Sequence, residues 1–398
     1  MIMRPEYINA IKPFIDVKIV KILTGVRRSG KSTILEMIKE HLMSRGIKSE
    51  NIIVRRYTDN FQDFYSAVEM QKDLKIAIEG KGRCYLFLDE LQEVKDWEKG
   101  VNSLFESEDV DIYITGSNSK LMSSEISTYL SGRFVSIPVF TLSYKEYISF
   151  KGASAETDKG LLNQYIKYGG FPLVALNNFE TKSAYQIVDG IYSSVIRNDI
   201  AKRHNIRNQE LFDRVVKYII ENVGKTFSAN SIFSFLLNEK RKISVEAIYN
   251  YLKWLVEAFI IYPCSRYDLQ GKAVLKTQEK YYLSDISFKY SLMGFDSKMI
   301  ASILENIVFL ELKRRGYDTY IGKNYSKEID FVGIKRNERI YIQVCRELPT
   351  ESNREIQNLN DVKDHFRKYV VSLDPLARGF VNGIELVYLG DFLLREQW

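Results

Sequence analysis

An apolar run, Ile19–Thr24, leads without interruption into Gly25-Val26-Arg27-Arg28-Ser29-Gly30-Lys31-Ser32-Thr33, and a helical stretch begins near Lys31. This satisfies G-x-x-x-x-G-K-[ST] in the strand–turn–helix context that the pattern requires. No other feature constrains the fold as tightly, because the chain must reverse within six residues while its amides and the following helix N-terminus converge on one point. Such a cradle suits a polyphosphate. Gly25, Arg28, Ser29, Gly30, Lys31, Ser32 and Thr33 are therefore the expected nucleotide-holding residues. Lys31 is expected to reach the β- and γ-phosphates and the Ser32 hydroxyl to ligate Mg²⁺, so ATP and Mg²⁺ are the expected cofactors.

A second apolar run, Cys84–Leu88, ends in Asp89-Glu90, 58 residues after Lys31. Two adjacent acids at a strand tip divide the work: Asp89 holds the magnesium through water and Glu90 polarises an attacking water. Ile112–Thr115 runs into Gly116-Ser117-Asn118, where Asn118 either senses the γ-phosphate or simply caps a turn. Arg133, just ahead of the run Phe134–Val139, stands where an arginine finger acts, in cis or on a neighbouring subunit, and the second option implies an oligomer.

The 398 residues call for two to four domains, and 45% hydrophobic residues with only 7 prolines supply real cores. The net charge of +6 is unevenly placed: residues 1–150 hold 21 basic and 21 acidic residues, whereas 197–242 alone hold 10 basic against 5 acidic. That stretch is either a phosphate-contacting surface or a solvated face. Cys84, Cys264 and Cys345 lie far apart among apolar neighbours, which suggests neither a disulfide framework nor a zinc cluster and fits a cytoplasmic protein. The longest apolar streaks fall short of the ~18–20 residues that span a bilayer, so no membrane partner is expected. His41, His204 and His365 are scattered and read as structural.

Periodicity divides the chain into four. Residues 1–140 alternate apolar strands with helices beginning near Lys31, Phe61, Trp97 and Leu121, the pattern of a mostly parallel α/β sheet. Residues 141–205 read as a small helical lid broken at Gly169-Gly170-Phe171-Pro172. Residues 206–270 give helices Glu210–Val223, Ala229–Asn238 and Val245–Phe259, the last capped by Ser244, then an extended run and a turn at Gln270-Gly271-Lys272. Three helices and a hairpin form a winged-helix pattern, which offers DNA as a partner through the third helix and the basic 197–242 region. The outward positions Glu246, Asn250, Lys253 and Glu257 suit base readout poorly; Lys240-Arg241-Lys242, Arg266 and Lys272 flank it with positive charge. Residues 271–398 read as a further α/β unit: a helix from near Met299 to Arg315, strands Thr319–Gly322, Glu328–Ile334 and Arg339–Cys345, a helix Ser352–Phe366 and a strand Tyr369–Ser372.

The stretches Gly25–Thr33, Leu88–Val94, Ile114–Ser117, Ser131–Arg133, Tyr168–Pro172, Leu304–Asn306 and Glu328–Phe331 with Ile342–Val344 together resemble the AAA-type archaeal and bacterial ATPases of the STAND-related group, whose C-terminal region is restriction-endonuclease-like. The resemblance covers nearly the whole chain. It implies an α/β architecture with an AAA-type P-loop core on a parallel five-stranded sheet, a helical lid, a winged helix and a C-terminal restriction-endonuclease-like domain. It also implies ATP hydrolysis, and it puts Arg4 near the nucleotide base.

Nucleases of that end-domain fold place an acid on one strand and an acid-x-lysine on the next. Asp330 stands in the first place and Glu305 approaches from a helix, but the next strand reads Gln343-Val344-Cys345, with an amide for the second acid and a thiol for the lysine. The expected site of Glu305, Asp330 and Gln343 is thus degenerate, used for binding or sensing. The overall expectation is Mg-dependent ATP hydrolysis that moves the appended domains, acting on nucleic acid. Two alternatives stand beside it: a slow nucleotide-gated switch working through protein partners, and, more weakly, an ATP-dependent nuclease.

Overall fold

A computed structural model describes residues 2–57, 66–122, 129–153, 159–204, 206, 208–241, 243–296, 299–347 and 354–398. It divides into two compact units, one of residues 1–141 with 257–259 and one of 142–256 with 260–398.

The first unit contains α1 (Pro5–Ile11), β1 (Val20–Thr24), α2 (Lys31–Ser44), β2 (Ile52–Arg56), α3 (Ala67–Ile78), β3 (Cys84–Asp89), α4 (Trp97–Ser107), β4 (Val110–Gly116) and β5 (Phe134–Pro138). The strands form one parallel sheet in the order β2-β3-β4-β1-β5. The inner strands β1, β3 and β4 are buried throughout, which is why their runs are largely apolar without alternation, while the edge strands β2 and β5 are only partly buried. Alternate residues still separate two cores. Ile22, Leu86, Leu88 and Ile112 pack with Met70, Leu74, Trp97 and Leu104, whereas Leu23, Phe87 and Tyr113 pack with Ile34, Leu35, Ile38 and Ile11. The helix start expected near Phe61 lies outside the described residues; the Ser66 side chain caps α3 in a capping box with Glu69.

Parallel order has a direct consequence for function. The loops after β1, β3 and β4 all leave from the same edge, the carboxyl edge where open α/β sheets bind ligands.

The second unit opens with α5 (Tyr144–Phe150), α6 (Lys159–Tyr168), α7 (Pro172–Leu176) and α8 (Thr181–Ser194), which continues into a π-helical stretch, Val195–Ala201. The break at Gly169-Gly170 is dictated by Asp285: a Cβ on Gly169 would lie 1.9 Å from its Oδ1, and the Gly170 N–H donates to its Oδ2 at 2.8 Å. Next come α9 (Gln209–Glu221), α10 (Ala229–Asn238) and α11 (Val245–Glu257), joined by aromatic contacts such as Phe212–Tyr251 and Tyr218–Phe235. Ser244 accepts the Ala247 N–H at 3.1 Å, as its place before α11 implies.

The rest is β6 (Ile261–Asp268), β7 (Ala273–Leu283), α12 (Ser287–Met293), α13 (Ile300–Arg314), β8 (Asp318–Asn324), β9 (Lys327–Lys335), β10 (Glu338–Cys345), α14 (Arg354–Asn360), β11 (Arg367–Ser372), β12 (Arg378–Val381), β13 (Ile384–Tyr388) and α15 (Leu389–Leu394). The expected helix start at Ser352 lies outside the described residues, and α14 ends six residues before Phe366. All eight strands of this unit share one mixed sheet, β12-β13-β11-β10-β9-β8-β6-β7.

That sheet corrects the expected boundary at 270/271. The hairpin β6–β7 is not a separate wing: β6 also pairs in parallel with β8 at Arg266↔Ile321, Tyr267↔Gly322 and Asp268↔Lys323. A cut at 270 would part hydrogen-bonded neighbours. Long-range strand pairing leaves no mark in local sequence, so the turn at Gln270-Gly271-Lys272 reads as a linker.

Candidate nucleotide site on the carboxyl edge of the parallel sheet

The loop from Gly25 to Gly30 needs its glycines. A Cβ on Gly25 would sit 2.1 Å from the Val139 carbonyl oxygen, and Gly30 has φ +102°, in the left-handed region. Arg28 shares that region at φ +68° and is exposed. Ser29 is buried and Thr33 is exposed, so of the expected nucleotide-holding set Thr33 turns its side chain outward. Arg4 meets the loop itself: it is 2% exposed, and it donates to the Ser29 carbonyl at 2.9 Å and to the Phe140 carbonyl at 3.1 Å.

Lys31 and Ser32 lie in the first turn of α2, and the strand tip of β3 faces them. The Ser32 hydroxyl donates to Asp89 Oδ1 at 3.0 Å, and the same oxygen accepts the Thr115 hydroxyl at 2.5 Å. Lys31 Nζ donates to the carbonyls of Gly25 and Val26 at 3.0 and 3.2 Å and stands 3.7 Å from Glu90 Oε1. Burial opposes the charged form of Glu90, but Lys31, then Gln92, Arg27 and Ser117, outweigh it, so its carboxyl titrates below the ordinary range. Glu90 is held ionised, the state that a general base requires.

Asn118 and Ser117 follow β4 on this same edge, and both are buried. Arg133 is not brought there. β5 runs parallel to β1 with Val20 opposite Phe134 and Thr24 opposite Pro138, so the residue before β5 lies at the amino edge. Five strand residues at about 3.3 Å each separate it from the carboxyl edge by roughly 16 Å. Its guanidinium pairs instead with Glu106 at 2.5 Å and lies over the Phe105 ring. The strand order thus places Arg133 away from the phosphate loop of its own chain.

Three contributors escaped the sequence reading. Thr115 and Gln92 lie inside quoted stretches, but their hydroxyl and amide carry no motif signal. Arg56, level with Asp89 in the sheet and 4.0 Å from its Oδ2, ends a strand with no pattern around it.

In the second unit Glu305, Asp330 and Gln343 do converge, on α13, β9 and β10. The Gln343 amide oxygen, however, accepts the Asp330 backbone N–H at 2.7 Å, and Asp330 Oδ2 accepts the Val344 N–H at 2.8 Å. A lysine is present after all, from a strand the motif does not include: Lys280 on β7 lies 2.9 Å from Glu328 Oε1 and 3.4 Å from Glu305 Oε2. Burial, followed by the Glu305 charge, pushes the Asp330 carboxyl up to about 8. Burial likewise raises Glu305, against Lys280. Among the described residues no three His, Cys, Asp or Glu side chains are grouped to hold a metal ion.

The basic flank of α11 is largely spoken for. Arg241 pairs with Glu210 and Glu239, and Arg266 with Glu328. Lys240 and Lys272 are exposed, Lys242 lies outside the described residues, and Glu257 is half-buried rather than outward. Among the described residues no helix is long and apolar enough to cross a membrane.

Residues 18–148 match the family model of an AAA domain, and residues 159–299 match that of a domain of unknown function. The second match runs across most of the expected lid, the winged helix and the first part of the end region, and neither match supports the restriction-endonuclease-like reading of that region. A solved Walker-type ATPase of Pyrococcus abyssi is similar with a TM-score of 0.52 and 13% identity, over 73% of this chain and 96% of that one, a likeness of fold. An uncharacterised protein of Haemophilus influenzae is 38% identical over 99% of both chains. An uncharacterised protein of Methanocaldococcus jannaschii is 33% identical over 84% of this chain and 76% of its own length. The chain therefore belongs to the family of these two proteins, and it carries an AAA domain of the P-loop ATPase fold.

Proposed function

We propose that this protein binds ATP with Mg²⁺ at the loop Gly25–Gly30 and hydrolyses it, with Glu90 as general base. The observation that carries the reading is the convergence of four chemically distinct groups on one sheet edge: the ammonium of Lys31, the hydroxyl of Ser32, the carboxylate of Asp89 and the ionised carboxylate of Glu90, linked by contacts of 3.0 to 3.7 Å. Ser32 and Asp89 form an oxygen donor pair suited to a hard cation, so these are the residues that would hold Mg²⁺. When bound, the ion neutralises phosphate charge. Gly25, Arg28, Ser29 and Gly30 wrap the phosphates, Lys31 compensates their charge, and Glu90 accepts the proton of the attacking water. Asn118, buried on the same edge, orients that water or the terminal phosphate.

Lys31→Ala is expected to abolish nucleotide binding, whereas Glu90→Gln retains binding and stops turnover, read by fluorescent-nucleotide titration and phosphate release. Full hydrolysis by Glu90→Gln would refute the assignment.

Turnover is proposed to shift the second unit between conformations, with nucleic acid as the partner. Its exposed cations Arg197, Lys202, Lys217, Lys225, Lys240 and Lys272 support that partner over base-specific readout, since α11 exposes Glu246 and Asn250 beside a single lysine, Lys253. Arg133, half-buried at the amino edge, is proposed to act only on a neighbouring subunit. The cluster of Glu305, Asp330 and Gln343 is proposed as a degenerate nuclease site, with Lys280 paired to Glu305 and Glu328 beside it.

A further inference from the structure

We propose that Gln92 is the positioning residue of the hydrolytic step: it holds the Glu90 carboxylate by tying it to the end of β4. The inference rests on the ATPase reading above and adds to it the group that keeps the base in place.

Glu90 leaves the strand in a left-handed conformation, φ +53° and ψ +47°, uncommon for a residue with a side chain. Its N–H is anchored to Thr115 Oγ1 at 2.9 Å, so the backbone is fixed by β4, and the carboxylate is turned toward the phosphate loop. Lys31 lies 3.7 Å from that carboxylate, Gln92 Nε2 donates to its Oε2 at 2.5 Å, and the Ser117 hydroxyl also bonds it. On the proposed reading Lys31 serves the phosphates during turnover. The neutral amide of Gln92 is then the stronger of two constant partners, ahead of the Ser117 hydroxyl, a donor that orients a carboxylate without competing for the nucleotide.

The far side of Gln92 is equally defined. Nε2 lies 3.4 Å from Ser117 Oγ, and a Cβ on Gly116 would sit 2.4 Å from Oε1. Gly116 thus leaves a space that the Leu121 side chain and the Gln92 amide share. Gln92 connects the base of β3 to the segment that carries Ser117 and Asn118, so a movement of that segment reaches Glu90 through one hydrogen bond.

The full chain is assayed for ATP turnover and fluorescent-ATP affinity as wild type, Gln92→Leu and Gln92→Glu. Gln92→Leu, which keeps volume and loses the donor, is expected to lower kcat about ten- to a hundred-fold with Kd unchanged. Gln92→Glu is expected to lower kcat further, again with Kd unchanged, because a second carboxylate now pushes the first out of place.

Unchanged kcat in both variants would overturn the proposal. Loss of nucleotide affinity in step with kcat would overturn it too, since that is what a packing role predicts. Should Gln92→Leu fail to fold, the near-isosteric Gln92→Glu decides alone. Absence of turnover in the wild type under all nucleotide and metal conditions defeats the ATPase reading and this one with it, an outcome distinct from an active wild type with indifferent variants.

Discussion

Arg4 is 2% exposed, and its guanidinium is shared between the carbonyls of Ser29 and Phe140, the Tyr7 hydroxyl and the Tyr7 ring. One arginine thereby holds the phosphate loop against the segment that follows β5. Removing it strands two carbonyls, at about 1–3 kcal/mol for each buried acceptor left without its donor. Arg4→Ala is expected to lower the unfolding midpoint and to weaken nucleotide binding about ten-fold, with saturated turnover kept; Arg4→Lys, with fewer donors, falls between. Isothermal titration beside a denaturant melt checks this, and wild-type affinity in Arg4→Ala would remove the arginine from the loop's support. The resemblance puts this residue near the nucleotide base; the structure directs its hydrogen bonds to the loop's backbone, a distinction that only a three-dimensional partner list can make.

Among the elements, the strands of the first unit were legible because each is a short, largely apolar run bounded by turns, and α2 and α4 open where expected; α1 went unread, and near Leu121 only a 3₁₀ turn over Ser119–Met122 is described. Direction was not. Arg133 reads as a finger from its place before β5, and parallel pairing with β1 carries it to the opposite edge. The helices of the second unit were equally readable, yet the use of α11 depends on its surroundings, where Arg241 and Arg266 are consumed in ion pairs. If the remaining cations contact nucleic acid, binding should lose affinity steeply as salt is added, and replacing Arg197, Lys202 and Lys240 together by alanine should flatten that dependence. Salt-insensitive binding, or none to duplex or single strands, would turn the output of the ATPase toward a protein partner.

For the whole molecule, the two units have different pH sensitivities built in. Asp330 is lifted to about 8 by burial and by Glu305, with Glu328 adding repulsion and Lys280 and the Val344 N–H opposing. The folded chain therefore binds a proton at Asp330 more tightly than the unfolded chain, whose carboxyl titrates near the ordinary aspartate range. Stability from this group is present at low pH and is lost as pH rises toward about 8. Asp330→Asn, which can still accept from Val344, is expected to raise the melting temperature at pH near and above neutrality, and to flatten its fall with pH. A variant that melts with the wild-type pH profile would show that Lys280 already neutralises the cluster.

The amino-acid sequence by itself determined that a strand must pass through Gly25–Gly30 into a helix, that Asp89 and Glu90 end a buried strand, and that most elements lie where periodicity puts them. These are local consequences of glycine geometry, side-chain alternation and capping, all of them carried by neighbouring residues. What only the tertiary structure decided is pairing: which edge Arg133 reaches, that β6 joins β8 and erases a boundary, that Lys280 arrives among Glu305 and Glu328, and that Gln92 grips Glu90 across the space left by Gly116. Each depends on residues remote in the chain or on the path of a turn, and the hydrogen bonds and burial that select them exist only once the sheets have closed.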